Sequence, residues 1–199
     1  MVASHIHDAL SQVRKLRGAV LEKRQFRGYS GPARMAAGCA ALAGATVLSR
    51  LQPTTDIGHL AGWGAVLAAS LLLNYGALAY WFLSDPQVGR NPAQLQPALD
   101  AIPPLAVGAA FSLACILRGQ YDWLFPVWMS MYGLVHIPYR NSLPRANYGV
   151  GLFYIAAGAA CLLWPGGVPF RNPWPMGLVF FAGEMTGGMI LHLNRDRNL

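Results

Sequence analysis

Residues 176–193, MGLVFFAGEMTGGMILHL, run for 18 residues with a single charge, Glu184, near their centre. A helix of that length and apolarity matches the hydrocarbon thickness of a bilayer. A carboxylate at its midpoint costs roughly 2.5–3.5 kcal/mol against lipid on insertion scales, so it is expected to turn toward other helices or water.

The rest of the chain repeats this texture. Apolar runs cover about 33–51, 57–83, 101–117, 123–139 and 148–164. Only 12% of the 199 residues are charged, where a soluble domain carries about 25%. The expected fold is all-α, an integral membrane bundle of about six transmembrane helices over 33–193. A basic amphipathic helix is expected within 1–32 and a short tail over 194–199. No cleavable secretory signal is expected in the first 34 residues, which are polar and basic. Cys39, Cys115 and Cys161 lie inside apolar runs and read as buried small hydrophobes, with no disulfide framework or metal site.

Over 4–27, Ile6, Leu10, Val13, Leu16, Val20 and Leu21 recur at three- and four-residue steps and share a helix face. Ser4 can cap this helix. Arg14, Lys15, Arg17, Lys23, Arg24 and Arg27 make its remainder a basic surface for membrane lipids or a partner. The helix is expected to lie on its own bundle or on the membrane, or to pair with a partner protein or a second copy. Nucleic acid is not expected, since no reading module accompanies the charge.

Basic residues also orient the chain. With an even number of crossings, twelve Lys and Arg fall on the side of the N-terminus and three, Arg50, Arg118 and Arg171, on the other. Both ends are therefore expected in the cytoplasm of a multi-pass, inner-membrane-type protein. The connection 165–175, PGGVPFRNPWP, carries four prolines, and Phe170 and Trp174 are expected at headgroup level; the alternative is a lid over an outward-facing cavity. Gly76, Gly133 and Gly187 recur at similar positions in the even runs, as three tandem hairpins would place them. Gly64 with Ala68, Ala156 with Ala160, and Gly183 with Gly187 are spaced for close helix contact.

Glu184 is the main candidate for a proton or ligand site. Asn74, Ser130 and Tyr132 fall at comparable depth as hydrogen-bond partners, and no Lys or Arg is expected there, so a neutral carboxyl without an ion pair is anticipated. His136 and His192, at similar depth on different runs, form a possible haem b ligand pair or interfacial residues at helix ends. No catalytic or nucleotide motif appears. The stretch DWLFPVWMSMYG looks locally like one helix of the tryptophan-rich translocator proteins over about a dozen residues, and no function is carried across from it. The preferred expectation is a non-enzymatic accessory, sensing or scaffold subunit that engages a partner through its N-terminal helix. The rival is a small transporter or ligand-binding bundle centred on Glu184. A b-type haem protein is the third reading.

Overall fold

A computed structural model describes residues 26, 28–86, 88 and 90–196. The expected helix at 4–27 therefore lies outside the described residues, apart from Phe26. So do Arg14, Lys15, Arg17, Lys23, Arg24, Arg27 and the last three positions.

The fold is an all-α bundle with no strand among the described residues. Six long helices follow one another: α1 (Gly31–Leu51), α2 (Asp56–Ser84), α3 (Ile102–Leu117), α4 (Leu124–Val135), α5 (Arg145–Leu163) and α6 (Trp174–Asp196). Local chemistry sets their starts. The Ser30 hydroxyl accepts from the Ala33 N–H at 3.3 Å, with Pro32 in the first turn of α1. Thr55 does the same for Gly58 at 3.1 Å, and Asp56 lies at the positive end of α2. Pro103 and Pro104 open α3.

All six apolar runs are helical, but they are not equal. Four segments are long and apolar enough to cross a membrane: Asp56–Ser84, Gln96–Leu117, Arg145–Leu163 and Trp174–Asn194. Helices α1 and α4 do not reach that standard by themselves. Two arginines, Arg34 and Arg50, lie within α1. Helix α4 has 12 residues, and its ladder tightens to three-residue steps at His136 and Ile137 before Pro138 opens a 3₁₀ turn. The run 123–139 is thus a 12-residue α-helix with 3₁₀ turns at its two ends.

Helix α1 is central, with α2 on one side and α6 on the other. From α6 the arrangement continues through α5 and α4 to α3, and α4 also reaches α6. The α1–α6 pair packs most extensively because its backbones nearly touch. A Cβ on Gly31 would stand 2.6 Å from the Gly188 carbonyl oxygen, one on Gly38 2.9 Å from the Glu184 Cβ, and one on Gly177 2.3 Å from the Ala45 Cβ. Gly133 and Gly151 bring α4 and α5 together in the same way.

These are not all the expected contacts. Gly183 and Gly187 do face neighbours, Tyr154 and Arg34. Gly64, Ala68, Ala156 and Ala160 face outward. The three glycines of the supposed repeat have unrelated surroundings: open space at Gly76, helix α5 at Gly133 and a guanidinium at Gly187. Cys115 is buried and Cys161 partly so, whereas Cys39 is exposed, contrary to expectation; all three are free thiols.

Helices α2 and α3 present apolar side chains outward, among them Leu67, Leu72, Tyr80, Phe111, Leu113 and Leu117. A helix apolar on all sides at the rim of a bundle is suited to lipid. The 165–175 connection departs from expectation at one residue. Trp174 is 40% exposed, as a headgroup anchor would be, but Phe170 is fully buried among aromatic rings of the core.

Two glycine substitutions separate close packing from propensity. Gly188→Ala, whose Cβ would meet the Gly31 oxygen at 2.7 Å and the Met35 Cγ at 2.5 Å, is expected to destabilise the bundle by about 1–3 kcal/mol. Gly76→Ala meets nothing and is expected to be neutral or stabilising by up to ~1 kcal/mol. Thermal unfolding in detergent checks both.

Candidate functional site: a buried ion pair where four helices meet

Helix α1 begins at Gly31, three residues before Arg34, so Arg34 is carried into the bundle and does not flank it. It is 6% exposed. Its guanidinium lies against Gly187, where any side chain would displace it. Helices α1 and α6 run antiparallel, with Gly31 beside Gly188 and Gly38 beside Glu184. Arg34 therefore starts about one turn from Glu184, and its stem spans that turn.

The result is a two-pronged ion pair. Arg34 Nε donates to Glu184 Oε2 at 3.0 Å and Nη2 donates to Oε1 at 3.1 Å. This overturns the expectation that no cation reaches Glu184 and that its carboxyl is neutral. Two parallel charge-assisted bonds favour the ionised pair, because separation would leave each charge buried alone.

Helices α4 and α5 complete the shell. Tyr132 and His136 are one turn apart on α4 and its end; Asn147, Gly151, Tyr154 and Gly158 lie along one face of α5. The hydroxyls of Tyr132 and Tyr154 each donate to Glu184 Oε1 at 3.0 Å. Arg34 Nη1 donates to Asn147 Oδ1 at 2.7 Å. Arg34 Nη2 also lies 2.6 Å from His136 Nε2. A guanidinium can only donate, so His136 Nε2 accepts and its proton resides on Nδ1, which donates to the Tyr132 carbonyl at 2.9 Å. His136 is thereby held as one neutral tautomer. Gly151 makes this possible, since a Cβ there would press on the His136 Cβ at 2.7 Å. Of the network's polar atoms, Asn147 Nδ2 is buried without a partner.

The sequence-derived candidates separate accordingly. Tyr132 touches Glu184. Asn74 donates to the Ser70 carbonyl of its own helix at 3.0 Å. Ser130 packs against Gly158. His192 adjoins Gly31 at the α1–α6 seam. His136 has both ring nitrogens engaged, so it offers no lone pair for iron in this arrangement, and the His136–His192 haem pairing does not fit it. Arg34, Asn147 and Tyr154 were not foreseen. The signal for Arg34 was the Ser30-Gly31-Pro32 start, which puts it one turn inside a helix. Among the described residues no group of His, Cys, Asp or Glu is arranged to hold a metal.

Two clefts on the described surface lie away from this pair. One is lined by Asp56, Gln120, Tyr121, Asp122 and Arg171, the other by Gly28, Ser30, Trp81 and Ser84. Glu184 itself is 3% exposed, so the chemistry available to it is that of a closed electrostatic clamp.

Removing one partner exposes this clamp's energetics. Arg34→Met or Glu184→Leu alone is expected to cost about 3–5 kcal/mol, since the other charge is left buried and unpaired. The double substitution is expected to cost less than the sum of the two singles, as coupled partners do. Denaturant titration of the purified protein in detergent measures both. No protein-family model, curated protein or solved structure matches the chain, so its role is read from its own geometry.

Proposed function

We propose that this chain is a non-enzymatic accessory or scaffold subunit of an inner-membrane-type cell membrane. In this reading the Arg34–Glu184 clamp holds the bundle rigid, while the basic N-terminal segment engages a partner protein or anionic lipid. The carrying observation is that Glu184 receives four donor contacts, two from Arg34 and one each from Tyr132 and Tyr154. A carboxylate so engaged is suited to locking helices together.

Two further observations support the partner-facing end. Phe26 is anchored where the basic stretch joins the bundle: its N–H donates to the Ser142 carbonyl at 2.8 Å, and its ring meets Tyr29 and Trp81 edge-on. Burial pushes the Tyr29 hydroxyl up to about 12, so it stays protonated beside Tyr139, 2.5 Å away. Exposed Arg90 and Arg140 in the connections, and Arg145 at the start of α5, lie at that same end of the helices. With Arg34 counted inside the bundle, eleven Lys and Arg remain on this side against three on the other. That imbalance supports six crossings with both termini cytoplasmic.

The rival, a small transporter or ligand-binding bundle centred on Glu184, has one observation in its favour: the unpartnered Asn147 Nδ2. Two measurements decide between them. Deleting residues 1–25 is expected to leave the thermal midpoint of the bundle unchanged and to abolish co-purification of membrane partners and binding to anionic vesicles; retention of both sinks the partner reading. In proteoliposomes, proton flux is expected to equal that of empty vesicles for the parent and for Glu184→Gln. A parental flux that the substitution abolishes would establish the transporter instead.

A further inference from the structure

At the end of the bundle away from Arg34, the chain encloses an aromatic box and fills it with one of its own residues. Phe170 comes from the 165–173 loop and is fully buried. Its ring centroid lies 5.0 Å from Phe125, 5.9 Å from Tyr121, 6.1 Å from Trp128 and 6.3 Å from His59. Trp63 closes the same cluster, edge-on to Phe125 at 5.8 Å.

One wall of this box is chemically unfinished. His59 and Trp63 are one turn apart on α2, 2% and 4% exposed. His59 Nδ1 and Trp63 Nε1 are both buried without a hydrogen-bond partner. Buried polar groups are rarely left so, because an unmade bond forfeits the water it displaced. Trp128, in the same box, follows the rule: its indole N–H donates to Ser112 Oγ at 2.8 Å. A phenyl ring can fill the volume beside His59 but has no atom to complete these bonds.

The loop that delivers Phe170 is held by few polar ties. The Phe170 N–H donates to Asp122 Oδ1 at 2.7 Å. Arg171 pairs with Asp56 at 2.7 Å, both side chains being substantially exposed, so water competes for that contact. Gly166 and Gly167, at φ 84° and 76°, supply a turn at the loop's start that L side chains disfavour. Beside the box opens a cleft of about 470 Å³, of which Tyr121 forms one wall. Tyr121 thus stands between open space and the buried ring.

We propose that Phe170 is a displaceable plug in a binding site for a planar, membrane-soluble ring bearing carbonyl or hydroxyl oxygens, the quinone–quinol class. Such a ring replaces the phenyl group face for face among Phe125, Tyr121 and Trp128. Its oxygen accepts from the Trp63 indole, which can only donate. His59 Nδ1 donates to a carbonyl or accepts from a hydroxyl, according to tautomer, so both oxidation levels fit. Entry is by withdrawal of the 165–173 loop, the filled form being the resting one. The claim concerns binding alone.

The test uses the full chain in lipid nanodiscs, titrated with a short-tailed benzoquinone and read by tryptophan fluorescence and thermal shift. Saturable quenching and a raised melting temperature are expected. A hydrocarbon ring of equal size should bind roughly tenfold more weakly, as should the quinone to His59→Phe or Trp63→Phe, the weight of about one buried hydrogen bond. Arg171→Gln loosens the loop while leaving the box intact, and is expected to tighten binding. Linear, unsaturable quenching in the parent overturns the site, and so does equal affinity for quinone and hydrocarbon. Those two outcomes are read on the parent protein, so they decide even where a box variant fails to fold.

Discussion

One arginine meets one glutamate inside this bundle, and the placement of four helices follows from it. Arg34 on α1 and Glu184 on α6 each require a partner, because neither charge is tolerated alone at their burial. Once paired, the carboxylate still has lone pairs to fill, which Tyr132 and Tyr154 fill from α4 and α5. The guanidinium still has donors, which Asn147 and His136 accept. A short-range demand for hydrogen bonds thus becomes a long-range constraint on helix position. Lipid supplies no hydrophobic force to distinguish one apolar helix face from another, so directional contacts of this kind, with close packing, carry the specificity.

Glycine makes the pair possible. Side chains at positions 31, 38, 177 or 188 would drive α1 from α6, and one at 187 would occupy the space of the guanidinium. Small residues therefore serve two purposes along one seam. They bring backbones together, and they leave a notch in which a long cationic side chain folds back along its neighbour. The opposite end of the bundle uses bulk instead. Phe125, Phe170, Tyr121, Trp63 and Trp128 fill it with rings at edge-on and tilted angles. A polar lock at one end and an aromatic core at the other divide the molecule's chemistry.

The helices were legible in the chain because length, apolarity and turn residues are local properties. Ser30, Thr55 and the prolines in the first turns of α3 and α6 mark starts that the backbone obeys. Glu184 was legible as a site because a lone charge in 18 apolar residues is conspicuous. Its partner was not. Arg34 sits near the edge of an apolar run and reads as flanking charge; only the register of α1 against α6 brings it within reach. Phe170 failed in the opposite sense. An aromatic residue in a proline-rich loop resembles an interfacial anchor, and its burial depends on what α2 and α4 present to it.

From the residues alone came the solvent and the building units: apolar helices of membrane-spanning length, an uneven distribution of basic charge, and a carboxylate that needs company. These follow from transfer free energies and backbone periodicity, which each segment carries by itself. Tertiary structure decided which residues keep that company, which glycines form seams and which face outward, and that one loop aromatic enters the core. Those outcomes depend on contacts between residues as far apart as positions 34 and 184. Such contacts are selected by the fit of surfaces that exist only once the helices have met.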